Sequence, residues 1–422
     1  MDLTRAKLMA SVRVAILLFS VLTVYCFGVF VDNCWAESQT QPVVGFMIPK
    51  KDPSAREKSL VVGFELYFRE KGLDPAKFLA TQEYGTSDEE LLEALAELMK
   101  SKDVRVIVTP VRLDFAEQVV TGTASAESLI FVTNPAVRFV SGEMCRPNVF
   151  RVCPNTYVSS QPLARWAFQN IGRKIFIVNE GTEIASEQAD FFALGSEKIG
   201  SSFGDRFVVM PDSTKYEKIF EKLEEVKPAF VFAAMSPNIS ASFVEAYCAK
   251  GLDKKYPLIG VESLTAYPDL VSKLKNSGLG IRTLCSLVDP VGLFKAASFG
   301  ELTSPDLDMV AQGYDIAAVF YSCLNAGCFA ESSIEKASQF ASKLTLEGPR
   351  GNIQFDANRE AVLAMRVSHW EKGADGSLLR VVDEQLEPSR SIDFGCGLVG
   401  FPDRPEAASQ DVNQGLWEEH QQ

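Results

Sequence analysis

The stretch SDEELLEALAELMKSKDVRVIVT, Ser87–Thr109, decides the fold class. Ser87 and Glu90 have the Ser-x-x-Glu spacing in which two side chains satisfy free backbone N–H groups at a helix start. Leu91, Leu92, Leu95 and Leu98 then recur on one face, so the spacing predicts a helix over Ser87–Lys100. Val104–Thr109 is a β-branched run of strand length. The same alternation extends in both directions. Strands are expected at Val43–Ile48, Val104–Thr109, Leu129–Val132, Lys174–Val178, Phe207–Met210, Ala229–Ala234 and Pro257–Val261. A second amphipathic helix, Ser213–Val226, lines up Tyr216, Ile219, Phe220 and Leu223. Strands alternating with helices imply an α/β protein whose parallel sheets carry helices on both faces.

Two stretches break the rhythm. Leu287–Gly300 leads into helical segments at Leu307–Leu324 and Ser332–Leu344. Three short strands are then expected at Asn352–Phe355, Ala361–His369 and Ser377–Val382, with turn signals at residues 356–358 and 372–376. They predict a β-meander that does not continue the α/β pattern. From Glu387 on, the chain is rich in Pro, Asp, Glu and Gln and reads as a poorly ordered tail.

The totals exclude several classes. The chain has 422 residues, a formal charge of −13 and 46% hydrophobic residues, enough for two or three domains with real cores. An acidic balance argues against nucleic acid, whose phosphates need a basic face. His369 and His420 are the only two histidines, which excludes multi-histidine metal sites and disfavours a Ser-His-Asp or Cys-His enzyme. His369, beside Trp370, reads as a structural side chain.

Arg5, Lys7 and Arg13 precede the uncharged apolar run Val14–Val31, and Cys34-Trp35-Ala36 places small residues for a cut after Ala36. That order reads as a secretory signal peptide over residues 1–36. The alternative is an uncleaved anchor, since the run is just long enough to span a bilayer. Export makes disulfides expected among the later cysteines. Cys145/Cys153 and Cys323/Cys328 are close enough in sequence for local bridges, while Cys248, Cys285 and Cys396 remain. Buried cysteines acting as small hydrophobes are the competing reading.

Two motifs are discounted. Gly395–Gly400 fits G-x-G-x-x-G, but Pro402 follows where a dinucleotide loop must open a helix. Ser333-Ile334-Glu335-Lys336 fits a serine–lysine spacing, but Ser332 and Glu335 fit a helix cap equally well. No cofactor or catalytic constellation is left, which favours binding over turnover.

Several stretches resemble the branched-chain amino acid type of ABC-transporter substrate-binding protein, the Leu/Ile/Val-binding-protein-like family with a type I periplasmic-binding fold. Gly348-Pro349-Arg350-Gly351-Asn352-Ile353-Gln354-Phe355-Asp356 is similar to that family's G-x-x-G-x-x-x-F-D element. Ala311–Ala318 resembles its GYDA helix, and Phe150-Arg151 with Ser159–Ala164 resembles its crossover into a second lobe. Ser213–Val226 and the following Lys227–Phe232 resemble its helix-then-strand pair. The resemblance runs from about Val43 to Val382.

The resemblance implies two Rossmann-like lobes joined by a three-crossing hinge. Lobe 1 would hold residues 42–151 and 286–347, lobe 2 residues 152–285 and 348–387, and the tail residues 388–422. It implies a monomeric periplasmic protein, without cofactor, that binds a small solute between the lobes and delivers it to an ABC permease. A ligand sensor, tethered or periplasmic, is the other function open to this fold.

Its ligand residues carry over position by position. Glu262 falls where the family places an acid for the ligand ammonium, or else supports a helix start by its charge. Thr133-Asn134-Pro135 falls where carboxylate donors are expected, or is an ordinary turn. Thr109-Pro110-Val111-Arg112 replaces a serine-rich turn, so Thr109 and Arg112 are candidates; Arg112 either grips a carboxylate or lies on the surface. Thr182 and Met235 stand where the family carries aromatic residues, and Pro49–Asp52 replaces a small Ser/Gly turn. These departures argue against leucine, isoleucine and valine. They leave an amino acid or a carboxylate or amide relative as the expected ligand.

Overall fold

The computed structural model describes residues 41–396, apart from 52–55, 102, 124–126, 201, 211–214, 266–278, 298–305, 331–333, 375 and 377. The N-terminal export segment, most of the tail and part of each discounted motif therefore lie outside the described residues.

The first sheet is parallel, with strand order β2-β1-β3-β4-β5. Its strands are β1 (Val43–Pro49), β2 (Leu79–Tyr84), β3 (Val104–Val108), β4 (Leu129–Val132) and β5 (Val149–Arg151). Between them run α1 (Arg56–Glu70), α2 (Asp88–Ser101) and α3 (Leu113–Gly122). The start of α2 bears out its sequence signature: Glu90 Oε2 accepts from Ser87 N at 3.3 Å, and Ser87 Oγ accepts from Glu90 N at 3.3 Å. Leu91, Leu95 and Leu98 are buried against the sheet, whereas Leu92 faces solvent.

The chain then passes through α4 (Thr156–Asn170) into the second sheet, of order β15-β14-β10-β9-β8-β6-β7. Here β6 (Lys174–Glu180), β7 (Ser202–Val209), β8 (Phe230–Ala234), β9 (Leu258–Val261) and β10 (Arg282–Cys285) are mutually parallel. They alternate with α5 (Glu183–Glu197), α6 (Glu217–Val226) and α7 (Pro237–Ala249). Tyr216, Ile219, Phe220 and Leu223 are all buried, as their spacing predicts.

After β10 come α8 (Pro290–Ala297), α9 (Leu307–Asn325) and α10 (Glu335–Ala341). Helix α9 packs against α1 at very short range. A Cβ on Gly63 would lie 1.8 Å from Val310 O, and one on Gly313 would lie 1.9 Å from Leu60 O. Only glycine permits two helix backbones to meet there.

The expected three-strand meander divides between two sheets. β11 (Thr345–Gly348), β12 (Gly351–Phe355) and β13 (Ala361–Val362) form a small antiparallel sheet. β14 (Met365–Lys372) instead extends the second sheet antiparallel to β10, and β15 (Leu378–Leu386) adds antiparallel to β14 at the edge. The apolar run Ala361–His369 reads as one strand, but the chain changes sheets at Leu363-Ala364.

Two ion pairs are buried where the chain passes between sheets. Arg151 and Glu360 pair at 3.3 Å, with side chains 0% and 3% exposed, and Arg151 also donates to Pro135 O and Ala136 O. Arg350 pairs with Asp315, its Nε lying 2.7 Å from Oδ2. Such pairs hold geometry more than they add stability. The described residues from Pro42 on belong to one compact unit.

The local disulfides are corrected. Cys145 bonds to Cys396 across 251 residues, while Cys153, Cys323 and Cys328 are free and buried. The extended strand β5 lies between Cys145 and Cys153 and carries them apart at about 3.3 Å per residue. Cys396 is brought to Cys145 by a segment that packs rather than wanders, contrary to the disordered tail expected from Glu387. Phe394 lies against Tyr157 and Phe191, its N–H donates to Ser141 O at 2.8 Å, and Asn155 Nδ2 donates to Ser391 Oγ at 2.7 Å.

Cys323 and Cys328 close the end of α9. Cys328 N donates to Cys323 O, Gly327 N donates to Leu324 O, and Gly327 has φ of 66°. This is a helix stop whose first and last residues make an apolar contact. The two thiols are that contact, which is the hydrophobe reading of these cysteines.

Candidate functional site

In a parallel sheet the carboxyl ends of all strands point one way, and ligands gather beyond them. A cavity of about 840 Å³ lies at those ends, lined from both large sheets. The first sheet contributes Pro49 at the end of β1 and Lys50 after it, Val111 and Arg112 after β3, and Thr133-Asn134-Pro135 after β4. The second contributes Thr182 after β6, Met235 after β8 and Glu262 after β9. Volume and partly apolar lining fit a small-molecule site.

Seven of the eight residues picked from the sequence line this cavity. Thr109 does not; it lies beneath Thr133, whose Oγ1 donates to Thr109 O at 3.2 Å. Placement on the wall does not give each residue a free group. Asn134 is fully buried; its Nδ2 donates to Val111 O and its Oδ1 accepts from Ala136 N, both at 2.9 Å. Pro135 accepts from Thr156 N at 3.0 Å and so anchors the start of α4. The Asn-Pro turn is thus built by its own side chains, as its turn reading implies. Arg112 is bidentate to Asp114 at 2.7 and 2.6 Å and stacks 3.5 Å above the Phe115 ring. Thr182 is exposed at the rim, whereas Met235 is buried.

Glu262 opens a short 3-10 turn directly after β9. Its side chain is 17% exposed, Oε1 has no hydrogen-bond donor, and Arg380 Nη1 stands 4.0 Å away. Burial first, then the Asp308 carboxylate, push Glu262 above the usual carboxylate range, with Arg380 acting the other way. Arg380 is itself held by Ser368 and Thr283 and lies over Trp370.

Sequence reasoning missed the wall contributed by the starts of α1 and α9. Asp306 caps α9 by accepting from Met309 N, and it pairs with Arg56 at 2.9 Å. Asp308 Oδ2 accepts from Gln312 Nε2 at 2.7 Å, while Asp308 Oδ1 and Gln312 Oε1 have no donor. Burial raises Asp308 as well, offset in part by Arg350. Glu57 is buried and accepts from Val111 N at 3.0 Å. A signal was present: Asp308, Gln312 and Asp315 recur at i, i+4 and i+7, a polar stripe along one face of a largely apolar helix. Cys153 also lines the cavity, its thiol pushed up to about 12 by burial.

His369 is a structural residue, bonded to Asp383 at 3.1 Å and Glu371 at 2.8 Å, and it does not line the cavity. Among the described residues, no helix is long and apolar enough to cross a membrane.

Two sheets sharing one cavity at their strand ends, joined by buried crossings, define a ligand-binding protein of the two-jawed class. A family model described as periplasmic binding protein matches residues 44–375. The chain belongs to that family, in its branched-chain amino acid type, the substrate-binding proteins of ABC transporters. No curated protein matches the sequence. Among solved structures, an ABC transporter substrate-binding protein from Sphaerobacter thermophilus is similar at 18% identity and TM-score 0.73, over 84% of this chain and 99% of that one. A solute-binding protein of an ABC transporter from R. palustris, in complex with benzoate, is similar at 18% identity and TM-score 0.71, over 85% of this chain and 100% of that one. A leucine-binding protein from Thermotoga maritima is similar at 16% identity and TM-score 0.66, over 82% of this chain and 99% of that one. At such identities the likeness speaks for the fold.

Proposed function

We propose that this chain is the exported solute receptor of an ABC importer. It binds a small organic solute between two lobes, closes about the hinge, and is read in its closed form by a membrane permease. The lobes are those implied by residues 42–151 with 286–347 and residues 152–285 with 348–387. No bond in the solute is made or broken. The observation that carries this reading is the cavity at the strand ends of both sheets, reached by Glu262 from one side and by α1 and α9 from the other. Closure of hinged lobes excludes water from such a cavity and strengthens each polar contact inside it. Export rests on the N-terminal segment, with cleavage after about Ala36.

The test combines thermal shift against a solute library with small-angle scattering on the hits. A solute that raises the melting temperature and shrinks the radius of gyration supports the reading. Scattering unchanged by a tightly bound solute would refute hinge closure, and turnover of the solute would refute the non-enzymatic role. N-terminal sequencing of the secreted protein tests the cleavage site.

A further inference from the structure

The chain does not stop where the second sheet ends. After β15, residues 387–396 run back to residues that precede β5 and are held there at three points. Cys396 is bonded to Cys145. Phe394 N donates to Ser141 O at 2.8 Å, and Ser391 Oγ donates to Ser141 Oγ at 3.3 Å. A local turn aims the cysteine. Asp393 Oδ1 accepts from Gly395 N at 2.9 Å and from Cys396 N at 2.7 Å, and Gly395 takes φ of 110°.

The same ten residues also grip elements that follow β5. The Phe394 ring lies 5.6 Å from that of Tyr157 in α4 and 5.4 Å from that of Phe191 in α5. Asn155, which caps α4, donates to Ser391 Oγ at 2.7 Å. Ser141 and Cys145 thus lie on one side of the β5 crossing, and Asn155, Tyr157 and Phe191 on the other. The segment bridges the two sides.

This bridge closes over the buried pair at the crossing. One oxygen of Glu360 accepts from Ser141 Oγ at 2.9 Å and Asn155 Nδ2 at 3.2 Å, and pairs with Arg151 at 3.3 Å. Ser391 bonds to two of those partners, Ser141 and Asn155. Residues 387–396 are not part of the cavity lining, so these contacts are not spent on a solute. The nearby ion pair between the two sides, Arg138 with Glu183 at 3.2 Å, is partly exposed and parts at little cost. A disulfide does not part under thermal motion. Any rotation that carries Cys145 away from Tyr157 and Phe191 must therefore pull the Phe394 ring from its apolar seat, which disfavours wide separation.

We propose that residues 387–396 form a fourth crossing of the hinge, closed covalently, which limits how far the two lobes separate. Limiting separation keeps a larger share of molecules near the binding-competent form, and apparent affinity rises with that share. This inference rests on the two-lobed receptor reading and adds a limit on its motion.

The test reads the distance between the lobes in the full chain without solute. Ketone-bearing residues in place of the exposed Glu93 in α2 and Glu221 in α6 carry spin labels, which leaves the native thiols untouched. Double electron–electron resonance then gives the distance distribution, and labels at these positions do not register fraying of residues 387–396 themselves. Cys145→Ser combined with Cys396→Ser frees one end of the brace, and Phe394→Ala loosens the other with the bridge intact. Both are expected to broaden the distribution. All three substitutions together are expected to broaden it no further than the cysteine variant does, because a brace acts only while both ends hold. If the cysteine variant does not fold, Phe394→Ala decides. A wild-type distribution in the folded variants overturns the proposal, even where the melting temperature has fallen, since the segment would then stabilise the fold without restraining the lobes. Broadening that adds up across the three substitutions overturns it as well. The receptor reading is judged separately, on the wild type: a solute that narrows its distribution upholds that reading even if the brace has failed. If the variants broaden and no solute narrows the wild type, the tether between lobes stands and the receptor reading falls.

Discussion

Replacing Glu262 by Gln is expected to stabilise the solute-free protein at alkaline pH, although it removes a group from the binding wall. The carboxylate has lost most of its water, and Oε1 accepts no hydrogen bond, with Arg380 Nη1 standing 4.0 Å away. Leaving a buried acceptor unsatisfied costs about 1–3 kcal/mol, and more when it is charged. Gln keeps the shape and removes a charge that the Asp308 carboxylate disfavours. The expected gain is therefore about 1–3 kcal/mol at about pH 8, a rise in melting temperature on the order of 2–10 °C. The pH dependence has a definite sign. The folded-state pKa of Glu262 is raised above the ordinary value of 4.5, so between the two the native state holds a proton that the unfolded state has released. Stability must then fall as pH rises through that window. Below about pH 4 the group is protonated in both states, and variant and wild type should converge. Urea unfolding and calorimetry at about pH 4, 6 and 8 measure this. A variant that is no more stable than wild type at the highest pH, or a difference that persists undiminished at the lowest, would show that Glu262 is not a strained carboxylate.

Other perturbations test the frame around the site. Cys396→Ser opens a bridge spanning 251 residues and should cost about 2–5 kcal/mol, with faster proteolysis of residues 387–396 as Phe394 loses its seat. Gly313→Ala drives a methyl group into Leu60 O and should cost about 1–3 kcal/mol or more by urea unfolding; a neutral result would mean the helices part easily. Arg350→Met strands the buried Asp315 charge and should cost about 3–5 kcal/mol, whereas Arg350→Met combined with Asp315→Leu should recover most of it. Equal losses in the single and double variants would contradict that account.

Much of the fold was legible because period and length are local properties. The Ser87/Glu90 cap, the buried face of α6 and the strands β1, β3, β4, β6, β8 and β9 follow from residue spacing alone. β2, with Thr81, Gln82 and Glu83 in its middle, carries no apolar run because it is an edge strand paired only with β1. Cavity positions were legible where a residue directly follows a strand, as with Glu262, Met235 and Thr182, because sheet direction sends all such residues to one end. The acceptors on α9 were not legible as site residues. Asp308 and Gln312 are helix residues, and they reach the cavity only because Gly63 and Gly313 allow α9 to dock against α1.

Sequence by itself thus determined the alternation of strand and helix, the direction of the strands and the end of the sheets at which a solute must sit. Tertiary structure alone decided which cysteines meet, which sheet each late strand joins and which polar atoms on the cavity wall remain free. The physical reason is range. Helix caps and side-chain period are settled within a few residues, whereas the hydrogen bonds that occupy Asn134, Arg112 and Thr133, and leave Glu262 and Asp308 short of donors, depend on groups brought together only when the whole chain has packed.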